Sequence, residues 1–382
     1  MKKYRRKDSR SSQILIIGIA VLVVVLIVGI IIACFNKSKN NDKTGDTQID
    51  IEKVTDATET QTEEEEVKEP FAPKENDTTA AIGDELESTY AIVVDEQDGT
   101  VVAQKNAHER MYPASMTKVM TVLVAAEEAE KSALEDGSAD NSASNSVSDN
   151  SNSSTDVSGA DKKATETDEN EAINNKLSEL VTITREATDY SYVHDCSTTG
   201  FLDGEQVPLR DVFNGTILPS GGESAYQLAL YTSGSMEAFV ELMNKKAEEL
   251  GISETTHFTN PVGIYDDNNY STAYDMAIIM QAAMSDEICR EVLSNHTYST
   301  AVTEQHPESL NISNLFLRRI EDHMTSGTVI GAKTGFVNQS GNCAVSYEEA
   351  ASGKTYICVT AGATSGWHCI YNHVDLYNAY AK

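Results

Sequence analysis

One stretch of the chain, Ser115-Met-Thr-Lys118, sets a hydroxyl and an amine three residues apart at the start of a run with helical periodicity. Positions i and i+3 of a helix share a face, so the two groups meet. A serine hydroxyl becomes a useful nucleophile only when a base takes its proton. A lysine serves as that base only with its pKa brought down towards neutrality. The positive end of the helix dipole helps, disfavouring ammonium and favouring a developing alkoxide by roughly 0.3 to 1 kcal/mol. Serine and lysine on an exposed helix surface are commonplace, so this motif, although the only Ser-x-x-Lys in the sequence, decides nothing alone.

Two more segments carry suitable groups. Lys333-Thr334-Gly335 ends an apparent strand, where a lysine and a hydroxyl line a cleft and hold a carboxylate while the glycine lets a substrate backbone come close. Lys43-Thr-Gly45 repeats the triplet ahead of the serine in a polar run, whereas Lys333 follows it and opens onto Phe336-Val-Asn-Gln-Ser-Gly341. Between them, Leu218-Pro-Ser-Gly-Gly-Glu-Ser-Ala225 reads as a turn between helices that exposes Ser220, or equally as a helix cap with a glycine turn.

Around these residues the elements alternate in kind. Tyr90-Ala-Ile-Val-Val94 and Val101-Val-Ala-Gln104 flank Asp98-Gly99, the composition of a β-hairpin. Pro113 opens a helix over 114–130. Further helices are expected over 209–218, 223–231, 236–250 (between a cap at Ser235 and a stop at Gly251) and 273–284. Strands return over 328–333, 342–347 and 355–361, before an amphipathic segment over 367–380. Strands at both ends of a helical middle indicate an α+β fold in which an antiparallel sheet is closed by the two termini and the helices form a second lobe.

The chain has 382 residues and a formal net charge of -31, much of it in two runs, 41–90 and 131–175, that are poor in aromatic and branched apolar residues. Such runs cannot bury enough surface to fold. The first reads as a solvated stalk over 36–85 and the second as a low-complexity insertion within a catalytic domain spanning 86–382. The remainder is still acidic, which excludes nucleic acid and anionic lipid surfaces as partners. A basic tail at 1–13 precedes an uncharged run at 14–35, long enough for a transmembrane helix that leaves the rest of the chain outside the cell. A signal peptide competes with that reading, and Ile31-Ile32-Ala33-Cys34 resembles the box at which bacterial lipoproteins are cut and lipidated. Either way the expectation is an extracytoplasmic protein held at a membrane. Six widely spaced cysteines indicate neither a disulfide scaffold nor a Cys-x-x-Cys metal site, although Cys343 and Cys358, in two apparent strands, are placed to face each other. The eight histidines lack ligand spacing, so no metal or cofactor is expected.

In this order, Ser-x-x-Lys, a Ser-containing turn and Lys-Thr-Gly resemble the penicillin-binding proteins and serine β-lactamases, with their transpeptidase-type fold. More closely, the chain is similar to the low-molecular-weight D-alanyl-D-alanine carboxypeptidases of the S11 peptidase family. Tyr112-Pro-Ala-Ser-Met-Thr-Lys118, Leu250-Gly251, Thr256-His-Phe-Thr-Asn-Pro261, and Tyr270-Ser-Thr-Ala273 with Asp275 extend the similarity over about residues 88–380. The resemblance implies an acyl-enzyme on Ser115, with Lys118 as proton acceptor and Ser220 passing a proton to the leaving D-alanine. It implies that Lys333 and Thr334 hold the substrate carboxylate, with the Lys333 charge lowering the pKa of the neighbouring amine, and that the backbone N–H groups of Ser115 and Phe336 form an oxyanion hole beside Gly335. Its implied substrates are peptidoglycan stems ending in D-Ala-D-Ala, and its inhibitors β-lactams. One departure stands out: the family usually has Ser-x-Asn in the middle motif, and here the third residue is Gly222. A catalytically weak peptide-binding wall module therefore stays open. A class A β-lactamase needs Glu-x-x-Leu-Asn, which the sequence lacks.

Overall fold

The computed structural model describes residues 70–143 and 166–382. In chain order its elements begin with β1 (Ala80–Ala81), β2 (Tyr90–Asp95), β3 (Thr100–Lys105), a 3-10 turn (Ala114–Met116) and α1 (Thr117–Ala143). Next come α2 (Glu166–Leu177), β4 (Leu180–Thr182), α3 (Arg185–Val193), β5 (Gln206–Pro208), α4 (Leu209–Ile217), α5 (Gly222–Ser233) and α6 (Met236–Glu249). The remaining elements are α7 (Ala273–Ser285), α8 (Glu287–Ser294), β6 (Thr297–Ser299), β7 (Asn311–Ser313), α9 (Leu317–Ile320), β8 (Gly327–Val337), β9 (Gly341–Ala350), β10 (Thr355–Ala363) and α10 (Gly366–Tyr380).

Six strands form the main sheet in the order β1-β3-β2-β10-β9-β8. Antiparallel pairing of β10 with β2, Cys358 opposite Val93, joins the early hairpin to the late strands, as the sequence predicts. The two-residue β1 adds a parallel edge beside β3. At the other edge, β8 leaves one side of its backbone free of strand pairing. The sheet is covered on both faces. Ala91, Val93, Ala103, Ala344 and Cys358 meet the helix α10, while Ile92, Val94, Val101, Val345 and Val359 belong to the core shared with α7 and the helical lobe. Successive strand side chains point to opposite faces, so a strand buried twice is apolar at every position, which explains the unbroken Tyr90-Ala-Ile-Val-Val94. The same alternation separates Cys343 from Cys358. They lie in cores on opposite faces of the sheet, and both are free thiols, which corrects the expectation that they face each other.

The lobe is built around α1, whose Val119, Met120, Val122 and Leu123 are buried among residues of α4, α6 and α7. The helices expected near 209, 223, 236 and 273 form within two residues of the predicted ends, and Ser235 caps α6 by accepting the Ala238 N–H at 3.1 Å. Two boundaries need correcting. Residues 70–85, assigned to the stalk, belong to the folded part: Lys74 bridges to Thr100, Ile82 is buried, and the Tyr274 hydroxyl donates to Pro73 O at 2.7 Å. A few apolar anchors among polar residues suffice where each meets a preformed sheet edge. The insertion is also shorter than expected, because α1 runs on to Ala143 and α2 begins at Glu166. The basic tail, the 14–35 span, stalk residues 36–69 and insertion residues 144–165 lie outside the described residues. Among the described residues no helix is long and apolar enough to cross a membrane.

Leu123 is 1% exposed at the centre of the lobe. Leu123→Ala is expected to destabilise the protein by about 2–5 kcal/mol, read from the midpoint of urea unfolding at unchanged m-value.

Candidate active site

Pro113 leads into a tight turn in which Ala114 takes a left-handed conformation (φ 47°), uncommon for a residue with a side chain, before Ser115. The turn feeds directly into α1, so Lys118 comes round beneath the serine. Lys118 Nζ lies 3.2 Å from Ser115 Oγ and donates to Val262 O at 2.7 Å. The side chain is 1% exposed, and burial brings its pKa down to about 8, partly opposed by Cys196 and Glu223. The i, i+3 expectation holds, with a 3-10 turn for the first step in place of a full helical turn.

The carbonyl that receives Lys118 sits in a loop held by one side chain. Asn260 Oδ1 accepts the N–H groups of Val262, Gly263 and Ile264 at 3.2, 2.7 and 3.1 Å. Thr121 Oγ1, one helical turn beyond Lys118 on α1, donates to Pro261 O at 2.7 Å. Behind the loop, Thr256 Oγ1 donates to Asp275 Oδ2 at 2.7 Å, and the Asp275 N–H is capped by Thr272 Oγ1 at 2.9 Å. The segments 256–261 and 270–275, singled out in the sequence only through resemblance, thus act mechanically, fixing the wall against which Lys118 rests. Gly263 (φ +81°) allows that wall to close on the serine turn, because a Cβ there would lie 2.0 Å from Ala114 O.

Ser220 stands on the opposite wall, also left-handed (φ 66°) and buried, just before α5. Lys333 on β8 donates to Ser220 Oγ at 2.9 Å and to Thr334 O at 2.8 Å. Its side chain is 1% exposed, and burial together with the neighbouring Lys118 charge holds its pKa well below that of an ordinary lysine. The like-charge effect expected on Lys118 thus acts on Lys333. Its Nζ is turned towards Ser220 from behind the surface, while Thr334, Gly335 and Phe336 face the opening. Gly335 meets the serine turn directly: a Cβ at that position would lie 2.9 Å from Ser115 N and 2.8 Å from Cys343 Sγ. The free edge of the sheet is thereby pressed against the Ser115 turn, with the 57% exposed Phe336 side chain turned outwards.

These groups line one cavity of about 690 Å³, which brings together Ser115, Lys118, Ser220, Thr334, Gly335 and Phe336. It also includes residues that the sequence did not single out. Arg319 on α9 reaches it beneath the Trp367 ring (5.5 Å to the centroid), and Tyr265 flanks it in edge contact with Tyr112. Their signal is absent from the sequence because each lies on a short or irregular segment far from the motifs. Glu223 is buried and braces the floor, with Oε1 accepting the N–H groups of Thr199 and Gly200 at 2.7 and 2.9 Å. Chemically, the cavity offers a hydroxyl beside a dry amine, a second hydroxyl backed by another amine, and a strand edge for an extended peptide.

A family model described as D-alanyl-D-alanine carboxypeptidase (Peptidase S11) matches residues 75–174 and 167–365. A D-alanyl-D-alanine carboxypeptidase (DacF) of Bacillus subtilis strain 168 is 27% identical over 274 residues, covering 72% of this chain and 56% of that protein. A D-alanyl-D-alanine carboxypeptidase (DacA) of Escherichia coli K12 is 32% identical over 204 residues, covering 53% of this chain and 40% of that protein. The chain thus spans about half the length of the curated relatives it matches. Among solved structures, the Streptomyces K15 DD-transpeptidase superposes with a TM-score of 0.58 at 24% identity, covering 77% of this chain and 97% of that one. That likeness fixes the fold: an α+β architecture of the penicillin-binding-protein type.

Gly263→Ala would drive a methyl group into the serine turn. Acylation of Ser115 by a fluorescent penicillin is expected to slow by on the order of a hundredfold with far-UV circular dichroism unchanged.

Proposed function

This chain belongs to the S11 peptidase family of D-alanyl-D-alanine carboxypeptidases, and from that premise we propose that it removes the terminal D-alanine from peptidoglycan stem peptides through an acyl-enzyme on Ser115. The observation that carries the proposal is the amine of Lys118, buried, 3.2 Å from Ser115 Oγ and with its pKa near 8. Ser115 Oγ attacks the carbonyl carbon of the penultimate D-alanine as its proton passes to Lys118 Nζ. Charge collects on the carbonyl oxygen, which the N–H groups of Ser115 and Phe336 receive, each donor being typically worth about 3 to 4 kcal/mol. The C–N bond then breaks, and the departing amine takes a proton from Ser220, which Lys333 backs at 2.9 Å; the proton that Lys118 took from Ser115 passes on to Ser220, so that both groups return to their starting states. Thr334 and Arg319, both lining the cavity, receive the terminal carboxylate. Water hydrolyses the ester and returns Ser115. A β-lactam, presenting a similar acyl group and carboxylate, acylates the same serine.

The uncharged run at 14–35 behind a basic tail supports a membrane tether that holds the catalytic domain outside the cytoplasm, either as an uncleaved helix or through lipid on Cys34. Gly222 favours one rival reading, a module that binds stem peptides with little turnover, because it removes a side-chain amide from the cavity. D-alanine release decides between the two.

Full-length wild type is expected to release D-alanine from a pentapeptide and to be labelled by a fluorescent penicillin, and Ser115→Ala to do neither. Since the free amine of Lys118 is the base, and below about pH 8 the group is mostly ammonium, the acylation rate should rise with pH through about 8. Labelling without D-alanine release would leave the binding module. A flat profile from pH 6 to 9 would remove Lys118 as the base.

A further inference from the structure

Position 222 carries no side chain and has no room for one. A Cβ there would lie 2.6 Å from the Cβ and 3.1 Å from the Sγ of Cys196, and 2.8 Å from Ser191 Oγ. Cys196 comes from a different segment, just beyond α3, and the two segments are fastened together. The Cys196 N–H donates to Ser191 O at 3.0 Å and the Gly222 N–H to Ser197 O at 2.7 Å, while the N–H groups of Thr199 and Gly200 converge on Glu223 Oε1. This register keeps the cysteine side chain over the bare Cα of Gly222. The thiol is half-buried and lines the cavity together with Ser115, Lys118 and Ser220. Burial pushes its pKa up, an effect that the neighbouring Lys118 charge partly opposes. Two buried polar atoms in the same cluster, Ser191 Oγ and Glu223 Oε2, have no hydrogen-bond partner. These atoms lie behind the cavity lining, to which Cys196 and Lys118 both belong.

We propose that Cys196 is a positioning residue for the reaction: its side chain supplies, from the neighbouring segment, the cavity wall beside Lys118 that position 222 leaves bare, and so keeps water from the amine. This rests on Ser115 and Lys118 acting as described above. A thiol hydrogen-bonds weakly, so its contribution is one of packing and dryness. Side chains at 196 and 222 are alternatives, since the space admits only one of them.

The test exchanges the two positions in the full-length protein, using Cys196→Gly, Gly222→Asn and the double variant. Acylation by a fluorescent penicillin is followed against pH, and kcat and KM are separated for D-alanine release. Cys196→Gly should slow acylation by roughly ten- to a hundredfold and move the midpoint of its pH profile upwards as water reaches Lys118, acting on kcat more than on KM. Gly222→Asn, with the cysteine still in place, should also be slow. The double variant should recover both rate and midpoint to within a few-fold of wild type, a rescue that a merely structural role would not give. The proposal is overturned if Cys196→Gly keeps the wild-type rate and midpoint, or if the double variant is no faster than the slower single one. Should the variants fail to fold, iodoacetamide on the wild type gives a separate reading: acylation should fall in step with carbamidomethylation of Cys196, located by peptide mapping, and acylation that persists with Cys196 fully modified overturns the proposal. Wild type that is not acylated at all would remove the role of Ser115 and this inference with it, whereas labelled wild type with indifferent variants removes the inference alone.

Discussion

An amine that is to take a proton from serine must be kept out of water, because in water it is an ammonium ion and no base. Burying it is unfavourable for the charged form and leaves a strong donor to satisfy. Here a single contact resolves both demands, the 2.7 Å hydrogen bond from Lys118 to the carbonyl of Val262, with Ser115 Oγ at 3.2 Å as the other neighbour. Much of the molecule serves to hold that carbonyl still. Asn260 shapes its loop, Thr121 pins the loop to α1, and Asp275 with Thr256 secures it from behind.

The two lobes meet at the same point. The helix α1 brings its first turn to the cavity and carries its other end away: from Lys118 to Ala143 it rises roughly 37 Å at the α-helical pitch. The helix ends at Ala143, at the far end from Lys118, and added chain length at such a point costs little closure entropy. On the other side, the free edge of β8 comes against the serine turn at Gly335, which has no side chain to hold the two apart. A peptide that adds to this edge would present its carbonyl to Ser115.

Much of this was legible in the sequence. The Ser-x-x-Lys spacing, the late Lys-Thr-Gly, the hairpin at 90–104 and the helices with Ser235 and Gly251 at their ends all depend on local rules of period, capping and turn chemistry. What escaped was non-local. The helices α3 and α8 are short, and their caps at Thr184 and Asp286 are polar residues among many others. Residues 70–85 look like stalk because their few apolar anchors acquire meaning only against a sheet edge assembled from distant strands. Arg319 and Cys196 enter the cavity from segments with no motif, and the exclusion between Cys196 and Gly222 is a matter of ångströms that no spacing rule encodes. The orientation of Lys333 towards Ser220 belongs to the same class.

The most direct measurement is the position of the covalent bond. After brief exposure of the full-length protein to benzylpenicillin and acid quenching, peptide mass mapping should find the added acyl mass on the peptide containing Ser115 and nowhere else. Mass on a peptide bearing Ser220 or Cys196 instead, or no adduct at any residue, would contradict an acyl-enzyme built on Ser115 and Lys118.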